Sequence, residues 1–369
     1  MENFVVSARK YRPSVFDEVV GQNHITDTLL NEINSNQLAQ SFLFTGPRGV
    51  GKTTCARILA KLINQTEADA PDNDYSFNIF ELDAASNNSV DDIRILNEQV
   101  RIPPQTGKYK VYIIDEVHML SNQAFNAFLK TLEEPPKYAI FILATTEKHK
   151  ILPTILSRCQ VFNFKRIQIL DMVQHLKGIA EKENITVSED ALHLIAEKAD
   201  GGLRDCLSIF DQMASFCSGN ITYEKAVENL NVLDRDFYFK VTDAIVNQEV
   251  GIALNLFDDV LNMGFDGQLF LNGLSEHMRN LLVCRNAETI KLLNVSETHK
   301  EKYKIQSEIC NLSFLLNALN INNSFDIEFK QSKNQRLHVE LALIKLCHIK
   351  SILNTSLTLD ELKKKVMNI

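Results

Sequence analysis

Nowhere in the chain do two cysteines stand as a C-x-x-C pair; Cys55, Cys159, Cys206, Cys217, Cys284, Cys310 and Cys347 are scattered singly. Such spacing argues against a structural zinc and against a disulfide framework, so the thiols read as buried or free side chains. No apolar run is long enough to cross a bilayer, and no N-terminal stretch joins basic residues, an apolar core and a cleavage site. The chain is therefore expected to be cytoplasmic, without a membrane partner. Positive charge is also short: 39 Lys and Arg against 47 Asp and Glu leave a formal net charge of −8. That balance excludes a chain coated all over by nucleic acid, while leaving room for a local basic face. Internal repeats and low-complexity runs are missing too, which removes solenoids and arrays. What remains is 369 residues, 45% hydrophobic and 23% charged, an ordinary globular composition with room for two or three domains.

Against that plain background one stretch stands out. Gly46-Pro47-Arg48-Gly49-Val50-Gly51-Lys52-Thr53 fits G-x-x-x-x-G-K-[ST], the phosphate-binding loop. The apolar run Ser41–Thr45 leads into it as a buried strand, and Cys55, Ala56, Ile58, Leu59, Leu62 and Ile63 follow at helical spacing. Strand, glycine loop and helix together give the pattern its context. Glycines let successive backbone N–H groups turn inward around phosphates, and the helix N-terminus adds its positive dipole end. Residues Gly46 to Thr54 are the candidate phosphate contacts, with Lys52 reaching the β and γ phosphates and the Thr53 hydroxyl offered to Mg²⁺. The stretch implies a nucleoside triphosphate.

A second decisive stretch is Lys110-Val111-Tyr112-Ile113-Ile114-Asp115-Glu116, an apolar strand that delivers two carboxylates at its C-terminal tip. Ligands of open α/β sheets collect at such tips. Asp115 is the expected Mg²⁺ holder, and Glu116 the residue that orients and deprotonates an attacking water. Between these two motifs, Gln65–Ser76 is polar and acidic and reads as a surface loop before a strand at Phe77–Leu82. Ser89 and Asp92 fit a capping box, and Ser121 is the expected cap of a helix carrying Phe125, Phe128, Leu129 and Leu132, stopped by Pro135-Pro136. His118 reads as a structural hydrogen-bonding residue. A strand at Ala139–Ala144 ends in Thr145-Thr146, and a last strand is expected at Gln160–Phe164.

From Arg166 on, strands are expected to cease and apolar residues recur at three and four. Gly201-Gly202 places Leu203-Arg204-Asp205 at a helix start, where an arginine opposes the dipole and calls for a compensating anion. From Asp234 the chain reads as helical again, for example Leu269–Cys284 and Gln335–Leu353, the latter apolar on nearly all sides and so expected to be buried.

These motifs resemble the AAA+ ATPases and, more narrowly, the γ/τ family of bacterial DNA polymerase III clamp-loader subunits. Carrying the resemblance are Ala8-Arg9-Lys10-Tyr11-Arg12-Pro13, Asp83-Ala84-Ala85-Ser86, Asp115-Glu116-Val117-His118-Met119-Leu120, Leu129-Lys130-Thr131-Leu132-Glu133-Glu134-Pro135-Pro136 and Ser157-Arg158-Cys159. It implies an α/β P-loop NTPase domain with a parallel sheet at residues 1–166, a small helical lid at 167–232 and an all-α collar at 233–369. It further implies sensor roles for Thr146 and Arg204, and an arginine finger at Arg158 that enters a neighbouring subunit's site. Adenine-side contacts would come from Arg12, Val19, Val20, Val50 and Leu203. A face toward the DNA backbone would use Arg94, Lys130 and the Lys148-His149-Lys150 cluster. The implied cofactors are ATP and Mg²⁺. The implied partners are delta, delta prime and further gamma copies in a pentamer, the beta sliding clamp and primed DNA.

Two departures from the family stand in the sequence. The cysteine zinc module that the family carries between the first helix and the second strand is missing, since Gln65–Ser76 holds no cysteine; no zinc is expected. Asn87-Asn88-Ser89 replaces basic residues after Asp-Ala-Ala-Ser, which implies weaker DNA contact there. The resemblance also implies that a chain stopping after the collar is the shorter product or a truncated one, without the tau extension. Two rival readings are a non-hydrolysing clamp-loader scaffold and an AAA+ recombination or helicase-loading ATPase. The intact Lys52, Thr53, Asp115 and Glu116 speak against the first, and the Ser-Arg-Cys and Glu-Glu-Pro-Pro motifs against the second.

Overall fold

A computed structural model describes residues 5–65, 77–105, 107–230, 232–286, 288–293, 295 and 297–349. They form two compact units, one of the residues up to Val187 with Leu192–Ile221, the other of Ser188–Ala191 with the residues from Thr222 on.

The first unit is built on a parallel sheet of β1 (Ser41–Thr45), β2 (Ile79–Asp83), β3 (Lys110–Asp115), β4 (Ala139–Thr145) and β5 (Gln160–Asn163), in the order β2-β3-β4-β1-β5. The central strands are apolar on both faces because both faces are covered. Alternate residues go to opposite sides: Phe42, Phe44, Val111, Ile113, Ile140 and Ile142 enter one core, and Leu43, Tyr112, Ile114, Phe141 and Leu143 the other. Helices Asn23–Asn34 and Lys52–Asn64 cover the first face with Ile25, Leu29, Cys55, Ile58 and Leu59. Helices Val90–Val100 and Asn122–Glu133 cover the second with Ile93, Leu96, Phe125 and Phe128. Their starts are fixed as expected. Ser89 and Asp92 form a reciprocal capping box, and the Ser121 hydroxyl accepts from the Ala124 N–H. This is the P-loop α/β class anticipated above. It aligns the C-terminal tips of β1, β3 and β4 side by side.

Three expectations are corrected. The second strand starts at Ile79, not Phe77, because the Val111 N–H takes the Asn78 carbonyl and pairs Ile79 with Val111; Phe77 is left 79% exposed. Strands do not cease after Arg166. β6 (Thr186–Val187) pairs in parallel with β7 (Asn220–Ile221), each too short to leave a periodic signature. The third correction concerns the helix Gln335–Cys347 in the second unit, expected to be buried nearly all round. It buries Val339, Ala342, Leu343 and Leu346 but exposes Leu337 and Leu341, so it packs by one face. The end of the range expected for it, like the loop at 66–76 whose lack of cysteine argued against zinc, lies outside the described residues.

The second unit is helical, with Arg235–Val246, Val250–Asn262, Gly267–Cys284, Leu312–Phe329 and Gln335–Cys347 around a core that includes Phe257, Phe270, Leu274, Phe314 and Leu343. His277 is buried in it, flanked by Phe239 and Tyr303, with Nε2 2.8 Å from Gln306 Oε1. Gln306 in turn donates to the Phe239 carbonyl and to Asp243. Burial pushes the His277 imidazole down to about 4, since a charged ring there would lose its water. A depressed folded value means that the unfolded chain takes up the proton first, so stability present above the ordinary histidine range is lost as pH falls toward 4. Between pH 7.5 and 5 this group alone is expected to remove about 2 kcal/mol. Urea unfolding at both pH values should show that loss in the parent and a correspondingly smaller one in His277→Gln.

Candidate nucleotide-binding site

The phosphate loop folds as its glycines require. Gly46 has φ 146°, and a Cβ there would sit 2.4 Å from the Phe164 carbonyl oxygen, so the loop can approach the end of β5 only without a side chain. Gly49, at φ 76°, faces Arg204, whose backbone N–H donates to the Gly49 carbonyl at 3.3 Å. Lys52 opens the helix Lys52–Asn64 and is only 6% exposed. Its Nζ donates to the carbonyls of Gly46 at 2.9 Å and Pro47 at 2.8 Å. Burial pushes the ammonium below its ordinary value, against the pull of Glu116 and Asp115. A buried ammonium whose hydrogen bonds among the described residues go to neutral carbonyls is a site prepared for an anion.

The acids arrive on β3 as the strand pattern implied. Thr53 Oγ1 donates to Asp115 Oδ2 at 2.8 Å, joining the two expected Mg²⁺ contacts. Two hard oxygen donors at this spacing fit a divalent cation that travels with a triphosphate. Glu116 has left-handed backbone, φ 47° and ψ 44°, a conformation that costs a non-glycine residue about 1–3 kcal/mol and clusters at functional sites. The neighbouring strand tip meets it: Thr146 donates to Glu116 Oε2 from both its N–H, at 3.3 Å, and its Oγ1, at 3.1 Å.

These elements border a cleft of about 580 Å³. Of the expected contacts, Arg12, Val19, Val20, Arg48, Gly49, Val50, Gly51, Lys52, Thr53, Thr54, Asp115, Glu116, Leu203 and Arg204 all line it. Gly46 and Pro47 reach it through the Lys52 ammonium, and Thr146 through Glu116. Six basic side chains (Arg9, Arg12, Arg48, Lys52, Arg57 and Arg204) face two carboxylates in this lining. The cleft is thus positive on a chain of net charge −8, the field a triphosphate needs. Arg12 is exposed and donates to Thr54 Oγ1; partial desolvation and the neighbouring Arg57 hold its guanidinium below its ordinary value.

Arg158 lies elsewhere. Its guanidinium donates to Glu133 Oε1 at 2.6 Å and to the Thr154 carbonyl, and it is absent from the cleft lining. Cys159 beside it is no nucleophile, since burial pushes its thiol up to about 12. The candidate DNA contacts are exposed but engaged within the chain: Arg94 with Asp91, Lys148 with Asn163 and Lys150 with Glu147. Lys130 is exposed on Asn122–Glu133, the helix that packs against the one carrying Arg94.

Other contributors were not singled out from the sequence. Gln22, fully buried, donates to the Lys165 carbonyl at 2.7 Å and accepts from the Lys165 N–H, bracing the segment that carries Val19 and Val20. Arg57 lines the cleft and is held bidentately by Glu81. Its position one helical turn beyond Thr53 is the one signal that could have found it. The N-terminal motif docks on the lid, where the Ser7 N–H donates to Asp211 at 2.7 Å and Tyr11 bonds Glu183.

Family models match this chain in three successive stretches. They are DNA polymerase III, delta subunit, over residues 21–168; DNA polymerase III clamp loader subunit, ATPase lid domain, over 171–219; and DNA polymerase III subunits gamma and tau domain III over 221–362. The chain is 39% identical over 355 residues to DNA polymerase III subunit tau of Bacillus subtilis, covering 92% of this chain and 62% of that protein. It is 39% identical over 333 residues to DNA polymerase III subunit gamma/tau of Mycoplasma genitalium, covering 86% and 55%. Against DNA polymerase III subunit gamma of Buchnera aphidicola it is 32% identical over 361 residues, covering 94% and 98%. It thus spans less than two thirds of the length of the first two relatives. Joined to a phosphate loop, an acid-tipped β3 and a lid at one cleft, these matches place the chain in the gamma/tau family of DNA polymerase III subunits.

Proposed function

We propose that this chain is an ATP-driven motor subunit of a clamp loader, opening a sliding clamp and loading it onto primed DNA. The observation that carries the reading is the positive cleft in which Lys52, the Thr53–Asp115 pair and the Thr146–Glu116 pair converge. Phosphate oxygens would replace the neutral carbonyls that now hold Lys52 and relieve its unfavourable burial. Thr53 and Asp115 would hold Mg²⁺, whose charge balances the phosphates. Glu116 would orient the attacking water and take its proton, and Arg204 would bring the lid to the phosphates. Arg12, Val19, Val20, Val50 and Leu203 form the adenine side in this reading. The residues 1–166, 167–232 and 233–369 would then serve as motor, lid and collar.

Partners follow the same proposal: delta, delta prime and further copies of this chain, with the beta clamp as cargo. DNA would be gripped by its backbone, through Arg94, Lys130, Lys148 and Lys150, so binding should be nearly sequence-independent and strongly salt-dependent. The test is steady-state ATP hydrolysis by the chain assembled with delta and delta prime, with and without clamp and primed DNA. Hydrolysis is expected to rise severalfold when both are present and to vanish in Lys52→Ala. ATP bound but never turned over, in any combination, would replace the motor with a non-hydrolysing scaffold.

A further inference from the structure

The helix Leu203–Phe216 carries more than Arg204. Its start brings Leu203 and Arg204 to the cleft, and Leu207 lines the cleft one turn further on. Asp211 follows at the same four-residue interval, on the same face but outside the cleft lining. Its carboxylate is taken by the start of the chain. The Ser7 N–H donates to Asp211 Oδ2 at 2.7 Å, and the Ser7 hydroxyl donates to Oδ1. Ser7 is buried, so water competes poorly for either bond. Two oxygens of one carboxylate on two donors of one residue fix its direction as well as its place.

A second tie lies a few residues along, on another helix. Lys10 Nζ lies 2.5 Å from Glu183 Oε1, and the Tyr11 hydroxyl donates to the same oxygen. Glu183 caps the end of the helix Ile169–Lys182. Lys10 foremost, then Tyr11, holds its carboxyl below the usual range, so it stays charged and accepting at neutral pH. Both acids fall within the stretch 171–219 matched by the ATPase lid model. The segment they hold forms one wall of the cleft, with Ala8, Arg9, Tyr11, Arg12 and Pro13 in the lining. Arg12 joins this wall to the helix behind the phosphate loop, donating to Thr54 Oγ1 at 3.2 Å.

We propose that Asp211 is a positioning residue for bound nucleotide, holding the N-terminal wall on the lid so that the adenine side of the cleft is enclosed. Glu183 is the second tie, weaker because its ion pair with Lys10 is exposed. Arg204 and Asp211 lie seven residues apart on one helix, about 10 Å along its axis. One rigid element thus serves the phosphate end of the nucleotide directly and the base end through the wall. Cutting the Asp211 tie leaves the lid on the phosphate loop, where the Arg204 N–H donates to the Gly49 carbonyl. What it releases is the wall, and affinity falls with the fraction of time the wall is away. The phosphate grip of Lys52 and the loop is untouched. The inference rests on the nucleotide reading of the cleft and names what holds its adenine side.

The experiment is equilibrium binding, by the purified chain with Mg²⁺, of ATP and of inorganic tripolyphosphate, which has the phosphates but no base. The proteins are the parent, Asp211→Ala, Asp211→Asn and Glu183→Ala. Asp211→Ala is expected to raise Kd for ATP about 5- to 20-fold while Kd for tripolyphosphate stays within about twofold. The loss should lie in faster release, read by chasing a fluorescent ATP analogue. In Asp211→Asn the amide can accept from the Ser7 N–H and donate to its hydroxyl, so Kd for ATP should stay within about threefold. Glu183→Ala should lose about two- to threefold, again for ATP alone. A parental Kd for ATP in Asp211→Ala overturns the proposal, as does an Asp211→Asn chain as weak as Asp211→Ala. Equal losses for ATP and tripolyphosphate also overturn it, since they would mean a displaced lid and not a loosened wall. If Asp211→Ala does not fold, Glu183→Ala, altered at the end of a helix, decides in the same terms. Lys52→Ala separates the two layers. If it binds ATP like the parent, the nucleotide reading of the cleft falls; if it loses ATP while Asp211→Ala binds like the parent, only the role of Asp211 falls.

Discussion

An Arg158→Ala chain is expected to bind ATP as the parent does and to hydrolyse it about 10³- to 10⁵-fold more slowly in the assembled loader. The expectation comes from where Arg158 is not. Every other candidate catalytic side chain lines the cleft or touches one that does, whereas Arg158 points to Glu133 and the Thr154 carbonyl. A guanidinium there cannot stabilise charge in its own cleft, so removing it should leave affinity for ATP alone. Delivered to a neighbour's γ-phosphate, the same charge acts only in the transition state, and a 10³-fold loss corresponds to about 4 kcal/mol of that stabilisation. The ion pair with Glu133 is half exposed, and a pair of that kind is worth at most about 1 kcal/mol, so it is readily surrendered to a phosphate. Mixing makes the test decisive. Arg158→Ala chains keep Lys52 and its cleft, and Lys52→Ala chains keep Arg158, so if Arg158 acts across subunits the two together should recover hydrolysis that neither shows alone. If the mixture stays as slow as its parts, Arg158 does not act across subunits.

Much of the cleft could be read from the chain because its parts are local. The loop Gly46–Thr53, the strand that ends in Asp115-Glu116 and the caps at Ser89 and Ser121 each lie within a dozen residues, where spacing alone carries the physics. The order of the sheet is a different matter. That β4 lies between β3 and β1, and so brings Thr146 to Glu116, is decided by packing across the whole unit. Contacts across long separations left no local trace, as with Gln22 to Lys165, Ser7 to Asp211 and Tyr11 to Glu183. His118 shows the limit most clearly. As a lone histidine after an acid pair it reads as a structural hydrogen-bonding residue, and that is what its contact with Thr145 shows. Its second contact, to Glu147, depends on the tip of another strand and on the turn beyond it. Strand boundaries failed for a related reason: Phe77 is as apolar as Ile79 and Phe80, and only the start of pairing at Ile79 with Val111 leaves it outside the sheet.

Glu116→Gln should separate binding from chemistry. The replacement has the same shape, and its amide oxygen can still accept from the Thr146 N–H and hydroxyl that now hold Oε2. The left-handed backbone at this position is retained, so the strain stored there is unchanged. What disappears is the ability to take a proton from water, a contribution of about 10²–10⁴ in rate for a positioned general base. ATP affinity should stay within about twofold, because Lys52 and the loop amides, not Glu116, are the expected ground-state contacts. One local effect works toward tighter binding, since losing the Glu116 charge removes a carboxylate from a cleft meant for phosphates. Lys52→Ala is the complementary case. It deletes the buried cation and should lose nucleotide binding itself, so its assembly never reaches the loaded state. Glu116→Gln should instead accumulate in that state, holding clamp and DNA without release. Binding of a fluorescent ATP analogue and single-turnover hydrolysis, measured on the same preparations, distinguish the two. A Glu116→Gln assembly that turns over ATP at the parental rate would remove Glu116 from the chemistry and leave Thr146, its partner at the tip of β4, without the role proposed for it.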